Sequence, residues 1–210
     1  RIEPVAETQI RLMELPERPI IKLAKSCHVD HFFRNGTLQL GSFNYYASYD
    51  HAEVGDKQEG IVTAIAKADW GFVAGNYGSG FENYVFCATS ATENVTLSDS
   101  FGYDSGFIID DPYGFAKAIQ KSVGSSSSLY AMCEYSPIKA IIGSSAREIE
   151  RFSISDETAK MITSAKYFVK PLRYANQNEF RFLWEASRDL HGAELVHCPE
   201  AIQFCRKLRV

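Results

Sequence analysis

Residues 174–184 read YANQNEFRFLW, and the second half of this stretch alternates apolar and polar side chains as a β-strand does. Alternate side chains of a strand lie on the same face. One face is aromatic and suited to a hydrophobic core, and it carries Phe180, Phe182 and Trp184. The other face carries Gln177, Glu179 and Arg181, which places a carboxylate beside a guanidinium and an amide.

The polar face of this strand has two interpretations. In the first, Arg181 holds the Glu179 carboxylate ionised and oriented, and Gln177 adds a neutral hydrogen-bonding arm. Such an arrangement suits a group that stabilises positive charge developing on a sugar. In the second, the strand lies at the edge of a sheet, its outer face is solvated, and Glu179 and Arg181 form a weak surface pair. The pattern by itself favours the second interpretation.

Short β-prone runs outnumber helical segments along the rest of the chain. Strands are predicted at 19–25, 37–40, 61–66, 84–89, 107–109, 129–135, 139–142 and 179–185, with 84–89 in a central position. Helices are predicted at 26–33, 112–123 and 155–165. The segment 71–80 is glycine-rich, and its second half, 75–80, is predicted to be a flexible, lid-like loop. Because strands and helices do not alternate regularly, we expect an α+β protein with mixed or antiparallel sheets and a few helices.

Length and composition favour one domain over residues 1–210, with an N-terminal extension at 1–18 and a C-terminal extension at 186–210. The net charge of −4, with no run of more than two basic residues, argues against a protein that coats nucleic-acid phosphates. No apolar window is long enough to predict a transmembrane helix. The five cysteines are odd in number and irregularly spaced, which indicates free thiols in a reducing compartment such as the cytoplasm.

An acidic segment precedes the third predicted strand, and it contains Asp50, Glu53, Asp56 and Glu59. Closely spaced carboxylates can bind a cation, as in a metal-dependent nuclease that a chelator would inactivate. A solvated loop is the simpler interpretation of the same segment.

The order of these features resembles the ADP-ribosyltransferase superfamily, including its toxin and antiphage branches. Members place a basic or histidine residue on the first strand, hydroxyl or aromatic residues on a later strand, and a catalytic glutamate near the end, often in a Q-x-E pair. Here Lys22 or Lys25 lies on the first predicted strand, Thr89 and Ser90 follow a later one, and Gln177-Asn178-Glu179 comes last. The resemblance covers residues 19–184 and implies an ADP-ribosyltransferase-like fold.

The chain departs from the family pattern at two positions. The first-strand residue is lysine, where the toxin-like branch usually has arginine. Ala88-Thr89-Ser90 matches the family's Ser-Thr-Ser only in part, and Ser42, which precedes Tyr45 and Tyr46, competes for the hydroxyl position.

The resemblance implies an NAD-dependent mono-ADP-ribosyltransferase that uses NAD as substrate, needs no metal and releases nicotinamide. Glu179 would accept a hydrogen bond from the ribose 2′-hydroxyl, and Gln177 would face the nucleophile. Lys22 would contact the pyrophosphate, and Tyr45 or Tyr46 would stack on nicotinamide. Arg181 belongs to the implied NAD site by orienting Glu179. The implied hydroxyl contacts come from Ser42, Thr89 and Ser90. A bacterial toxin or effector is implied, with a protein, RNA or DNA acceptor, an immunity or antitoxin partner, and action in the cytoplasm of its own or a target cell.

Three other functions are consistent with the sequence. One is a non-catalytic module that binds a nucleotide or a partner on the same scaffold, and it predicts binding of NAD or ADP-ribose without turnover. Another is the metal-dependent nuclease suggested by the acidic segment. The last is a structural or assembly domain, which a large exposed aromatic patch would support.

Overall fold

The structure, a computed structural model, describes residues 16, 18–48, 57–90, 99–142, 155–188, 190 and 192–208. The fold is α+β with mostly antiparallel strand pairs, as the sequence predicts. The strands in chain order are β1 (Ile20–Ala24), β2 (Thr37–Ser42), β3 (Ile61–Ala68), β4 (Gly71–Gly78), β5 (Tyr84–Thr89), β6 (Ser105–Ile109), β7 (Ser128–Met132), β8 (Glu134–Ser136), β9 (Ala140–Ile142), β10 (Val169–Pro171), β11 (Glu179–Trp184), β12 (Glu194–His197) and β13 (Cys205–Lys207).

The main sheet is organised around β5, the strand predicted to be central. Its path runs β12-β2-β5-β1-β6-β13, and β11 pairs with both β5 and β7. β11 covers one side of β5 over the whole strand. The other side is shared, because β2 pairs with Tyr84 and Val85 while β1 meets only Thr89. β1 and β2 therefore diverge along β5, and this gap in the sheet helps to form the site described below.

The helices of the described residues include α1 (Ser26–Asn35), α2 (Phe43–Ser48), α3 (Pro112–Val123) and α4 (Asp156–Phe168). The Asp111 carboxylate accepts a hydrogen bond from the Gly114 amide at 3.0 Å and starts α3, which ends at Gly124 with φ 65°. The Ser155 hydroxyl starts α4 in the same way. α1, α3 and α4 lie where the sequence predicts them. Two 3₁₀ helices occupy Leu172–Gln177 and Pro199–Phe204.

The main core lies between one face of this sheet and helices α1 and α3. It is rich in aromatic side chains, including Phe32, Phe86, Phe107, Phe115, Phe180, Phe182 and Trp184. The Trp184 indole nitrogen donates a hydrogen bond of 2.9 Å to the Ala116 carbonyl of α3, so its one polar atom is satisfied inside the core. The aromatic face of β11 is thus the core face, as its alternation predicts.

A smaller sheet of order β4-β3-β9 packs against α4. Its strand β4 corrects the prediction of a flexible loop at 75–80, because β3 and β4 pair over eight positions from Ile61↔Gly78 to Ala68↔Gly71. Glycine disfavours strands, which is why this segment looks like a loop in the sequence. Cross-strand pairing and the packing of Val73 and Tyr77 against the cluster at α4 outweigh that local preference.

The structure describes little of the predicted N-terminal extension and most of the predicted C-terminal one. Of residues 1–18, only 16 and 18 are described. The segment 186–210 supplies β12 and β13, which lie at opposite ends of the main sheet path. Within the part of the chain that the structure describes, no helix is long and apolar enough to cross a membrane.

Candidate functional site

A cavity of about 110 Å³ lies where β1, β5 and β11 adjoin. Six of the nine side chains singled out from the sequence line it: Lys22, Tyr46, Thr89, Gln177, Glu179 and Arg181. Glu59, Cys87, Tyr103 and Lys170 also contribute to its wall. Ile21, Thr89 and Glu179 lie in one row across the three strands, so the sheet register itself brings the first strand next to the late glutamate.

The polar face of β11 is buried, and the interpretation of β11 as an edge strand is wrong. β5 pairs with one side of β11 and β7 with the other. All six residues of the strand are buried, and Glu179 and Arg181 are only 4% and 1% exposed. Alternating side chains show which residues share a face, but they do not show what covers that face.

Glu179 belongs to a buried network of two acids and two bases, which we call the ion quartet: Glu59, Lys170, Glu179 and Arg181. The Arg181 Nε donates to Glu179 Oε1 at 2.7 Å, and its two terminal nitrogens donate to the two Glu59 oxygens at 2.8 Å each. Lys170 Nζ donates to Glu179 Oε2 at 2.6 Å. Both oxygens of Glu179 therefore accept a hydrogen bond from a cationic group.

The charges of the ion quartet sum to zero, which makes its burial tolerable. Burial alone would raise the pKa of the Glu179 carboxyl, but Arg181 and Lys170 hold that pKa well below its usual value. Burial alone would lower the pKa of Lys170, whereas Glu179 and Glu59 raise it above its usual value. Glu179 and Lys170 stay ionised because the attraction of their oppositely charged neighbours outweighs the cost of desolvation.

Lys170 also binds Gln177, so that one ammonium group positions both members of the Q-x-E pair. Its Nζ donates to Gln177 Oε1 at 3.1 Å. Between the two, Asn178 adopts a left-handed conformation with φ 41°, which ends the 3₁₀ helix and starts β11. Thr89 donates its hydroxyl to the Gln177 carbonyl at 2.6 Å, and the Ser90 amide donates to the Asn178 carbonyl at 2.9 Å. The end of β5 therefore fixes the turn that carries Gln177 and Glu179.

Lys22 fills the gap where β1 and β2 diverge. Its ammonium donates to the Cys87 carbonyl at 2.8 Å and lies 4.7 Å from the centre of the Phe86 ring. It forms no salt bridge with a described carboxylate. Burial lowers the pKa of Lys22, although Glu179 partly counters this effect. Among the described residues that line the cavity, the ion quartet is neutral, so a protonated Lys22 is the remaining positive charge.

The two tyrosines after β2 have different positions. The Tyr46 ring packs on Gly41 and lines the cavity, and burial raises the pKa of Tyr46 well above its usual value. Tyr45 is half-buried and contacts Tyr46 edge-on at 5.3 Å, without lining the cavity. Ser42 is buried and its hydroxyl accepts from the Tyr45 amide at 3.1 Å, at the start of α2.

Three of the nine residues therefore do not line the cavity: Ser42, Tyr45 and Ser90. Lys25, the other candidate on the first strand, is exposed at the start of α1. Lys170 was not recognised from the sequence, because nothing in its spacing or neighbours marks it as a site residue. The sequence places Glu59 in an acidic segment and does not indicate its contact with Arg181, which lies 122 positions away in the chain.

The structure does not assemble the predicted acidic segment into a cation site among the residues it describes. Asp50, Glu53 and Asp56 lie outside the described residues, and both Glu59 oxygens bind Arg181. No group of three or more His, Cys, Asp or Glu side chains of the described residues is arranged to hold a metal ion.

The cavity combines an anchored carboxylate, an amide, hydroxyl groups and one lysine without a carboxylate partner among the described residues. Such a site can bind an anionic ligand and stabilise positive charge that develops next to Glu179. The chain matches no family model, no curated protein and no solved structure.

Proposed function

We propose that the chain is an NAD-dependent mono-ADP-ribosyltransferase that transfers ADP-ribose to a macromolecular acceptor. The observation that supports this function best is the meeting of Lys22, Thr89, Gln177 and Glu179 at one cavity. These are the positions that the resemblance to ADP-ribosyltransferases implies for phosphate contact, hydroxyl contact and catalysis. They come from distant parts of the chain, so their meeting does not follow from the sequence order.

The reaction would break the bond between nicotinamide and the ribose C1′ atom. The bonding electrons leave with nicotinamide, and positive charge develops on the sugar. Glu179 would accept a hydrogen bond from the 2′-hydroxyl and stabilise that charge, and removal of such a preorganised group costs about 100-fold or more in rate. The acceptor nucleophile then forms the new bond at C1′, and the proton that it loses passes to solvent, which completes the transfer. Gln177 would face the acceptor.

The remaining contacts fit the two groups of NAD on either side of this ribose. Tyr46 offers an aromatic face to nicotinamide, and Lys22 offers a point charge to the pyrophosphate. The cavity of about 110 Å³ is smaller than the pockets of about 300–1,000 Å³ that enclose drug-sized ligands. Only the nicotinamide–ribose end and the phosphate next to Lys22 would therefore lie inside it, while the adenosine part of NAD extends outwards.

The ion quartet favours a second candidate function, a non-catalytic module that binds NAD or ADP-ribose. Both oxygens of Glu179 already accept hydrogen bonds from cations at 2.6 and 2.7 Å. The charge of the carboxylate is thus partly offset before any substrate binds, which reduces its ability to stabilise a second positive charge. In this function Glu179 would serve to anchor the cavity wall.

The test is to incubate the purified chain with NAD carrying a label on its ADP-ribose part, in the presence of cell lysate. Nicotinamide release and label transfer are measured for the wild type, for Glu179→Gln and for Glu194→Gln. Glu194 is a matched control, because its carboxylate also binds an arginine, Arg188, but lies outside the cavity. Folding of each variant is checked by circular dichroism.

Transferase function predicts release and transfer in the wild type and in Glu194→Gln, with a loss of about 100-fold or more in folded Glu179→Gln. Absence of nicotinamide release from folded wild type would contradict the transferase. Calorimetric titration with NAD and ADP-ribose then decides the second candidate: binding without turnover supports the module, and absence of binding rejects both.

A further inference from the structure

Strand β4 leaves one of its two backbone edges open among the described residues. It is the outer strand of the sheet β4-β3-β9, and β3 is its one partner strand within the ranges that the structure describes. The strand is eight residues long, GFVAGNYG, and contains neither a charged residue nor a proline. Folded proteins usually protect such an edge with charges, proline, a bulge or a very short strand. The edge of β4 has neither a charged residue nor a proline, and at eight residues the strand is not short.

The hydrogen bonds around β3 show which backbone groups of β4 point outwards. The Ser79 amide donates to the Gly60 carbonyl, and the Thr63 amide donates away from β4 to the Lys139 carbonyl. In an antiparallel pair, residues alternate between facing the partner strand and facing away from it. The amide and carbonyl groups on the open edge therefore belong to Phe72, Ala74, Asn76 and Gly78.

Several side chains of this sheet and of its adjoining turn are apolar and exposed, and two of them, Trp70 and Phe72, lie at the β4 edge itself. Phe72, Ile61 and Ile142 share the sheet face that points away from α4, since cross-strand neighbours lie on the same side. Phe72 is 65% exposed and Ile142 is 53% exposed, and Trp70 in the adjoining turn is 73% exposed. Large exposed apolar side chains beside an unprotected strand edge are a feature of interaction sites.

We propose that β4 pairs with β4 of a second copy of the chain, in antiparallel orientation about a two-fold axis through Gly75. This register places Phe72 opposite Gly78 of the second copy, so that an aromatic ring covers a residue without a side chain. It places Ala74 opposite Asn76, and it brings no charge against a like charge although the chain carries a net charge of −4. The result is one continuous six-stranded sheet.

A second copy fits this edge better than an unlimited stack of chains. A two-fold contact uses the same strand from both molecules, so both open edges are consumed when the dimer forms. The inference does not depend on the proposed transferase function, because β4 contributes no residue to the cavity.

The test is sedimentation velocity of the chain over a range of concentrations, with three variants. Phe72→Lys places a charge next to the edge, as natural edge strands do. Ala74→Pro removes an outward amide without removing a hydrogen bond to β3. Leu195→Lys is the matched control, because Leu195 is an apolar side chain of β12 that is 75% exposed.

We expect the wild type and Leu195→Lys to form dimers as concentration rises, and Phe72→Lys to dissociate at least about tenfold more readily. Ala74→Pro should remain monomeric, and Phe72→Lys decides the matter if Ala74→Pro does not fold. A monomeric wild type at the highest concentration would overturn the proposal. So would a dimer whose dissociation constant is unchanged by Phe72→Lys.

Discussion

The Glu59 carboxylate binds the Arg181 guanidinium through two hydrogen bonds of 2.8 Å, although 122 positions separate the two residues in the chain. Arg181 uses its remaining Nε to bind Glu179 at 2.7 Å, and it also donates to the Tyr167 carbonyl. Glu59 thus acts on Glu179 through Arg181. The position of the candidate catalytic carboxylate depends on a residue from the segment that precedes β3.

The first prediction concerns the stability contributed by this contact. Glu59→Gln should destabilise the fold by about 3–5 kcal/mol, because Lys170 and Arg181 then share the single carboxylate of Glu179 and one buried positive charge is uncompensated. Glu194→Gln removes a more exposed partner of Arg188 and should cost about 1 kcal/mol or less. Urea unfolding of both variants measures the difference. Similar losses of unfolding free energy in the two variants would show that burial does not make the Glu59–Arg181 contact stronger than the exposed Glu194–Arg188 contact.

A second prediction follows from the lowered pKa of Glu179. A carboxylate with a lowered native pKa contributes stability above its unfolded pKa of about 4.3, and this contribution is lost as the pH falls below that value. The difference in unfolding free energy between wild type and Glu179→Gln should therefore be constant near neutral pH and shrink below about pH 4. A difference that stays constant down to the acid transition would mean that Glu179 titrates normally.

A third prediction tests the placement of Tyr46. A methyl group on Gly41 would lie 2.7 Å from two ring carbons of Tyr46, so Gly41→Ala should displace the ring from the cavity. If the cavity binds NAD, its affinity should fall by at least about tenfold in isothermal titration calorimetry. Gly192→Ala is the control, since its added methyl meets no described atom within 4 Å. Equal affinities for Gly41→Ala and the control would remove Tyr46 from the binding site.

A fourth prediction concerns the thiols. Burial raises the pKa of Cys87, Cys198 and Cys205 to about 12, and it raises the pKa of Cys133 as well, whereas Cys27 is exposed. Because the thiolate is the reactive form, Cys27 alone should react rapidly with Ellman's reagent in the native protein near pH 8. All five should react after denaturation. Rapid labelling that survives Cys27→Ser would show that another thiol is accessible.

The local pattern of the chain predicts most of the secondary structure. Asp111 before Pro112 starts α3 and Gly124 ends it, and both signals act within one turn of helix. The alternation at Phe180, Phe182 and Trp184 identifies the core face of β11, because the two-residue period of a strand is also a local property of the sequence. β4 was missed because its strand pairing with β3 outweighs the low strand preference of its glycines.

The site divides in a similar way between sequence and tertiary structure. Gln177, Glu179 and Arg181 stand out in the sequence, because neighbours in a strand have a fixed spacing. Whether their face is solvated or buried depends on β5 and β7, and the sequence order does not reveal these neighbours. Lys170 and Glu59 join the ion quartet only through the packing of distant segments, so no spacing rule could identify them.

By itself, the sequence determined the α+β class, the strand that carries Glu179 and the identity of its core face, because these depend on propensities and periodicities that act over a few residues. Tertiary structure alone decided that Glu179 lies buried between Lys170 and Arg181, beside Lys22 in the gap between β1 and β2. Those contacts join residues far apart in the chain, and the burial that strengthens them arises only when the sheet is assembled.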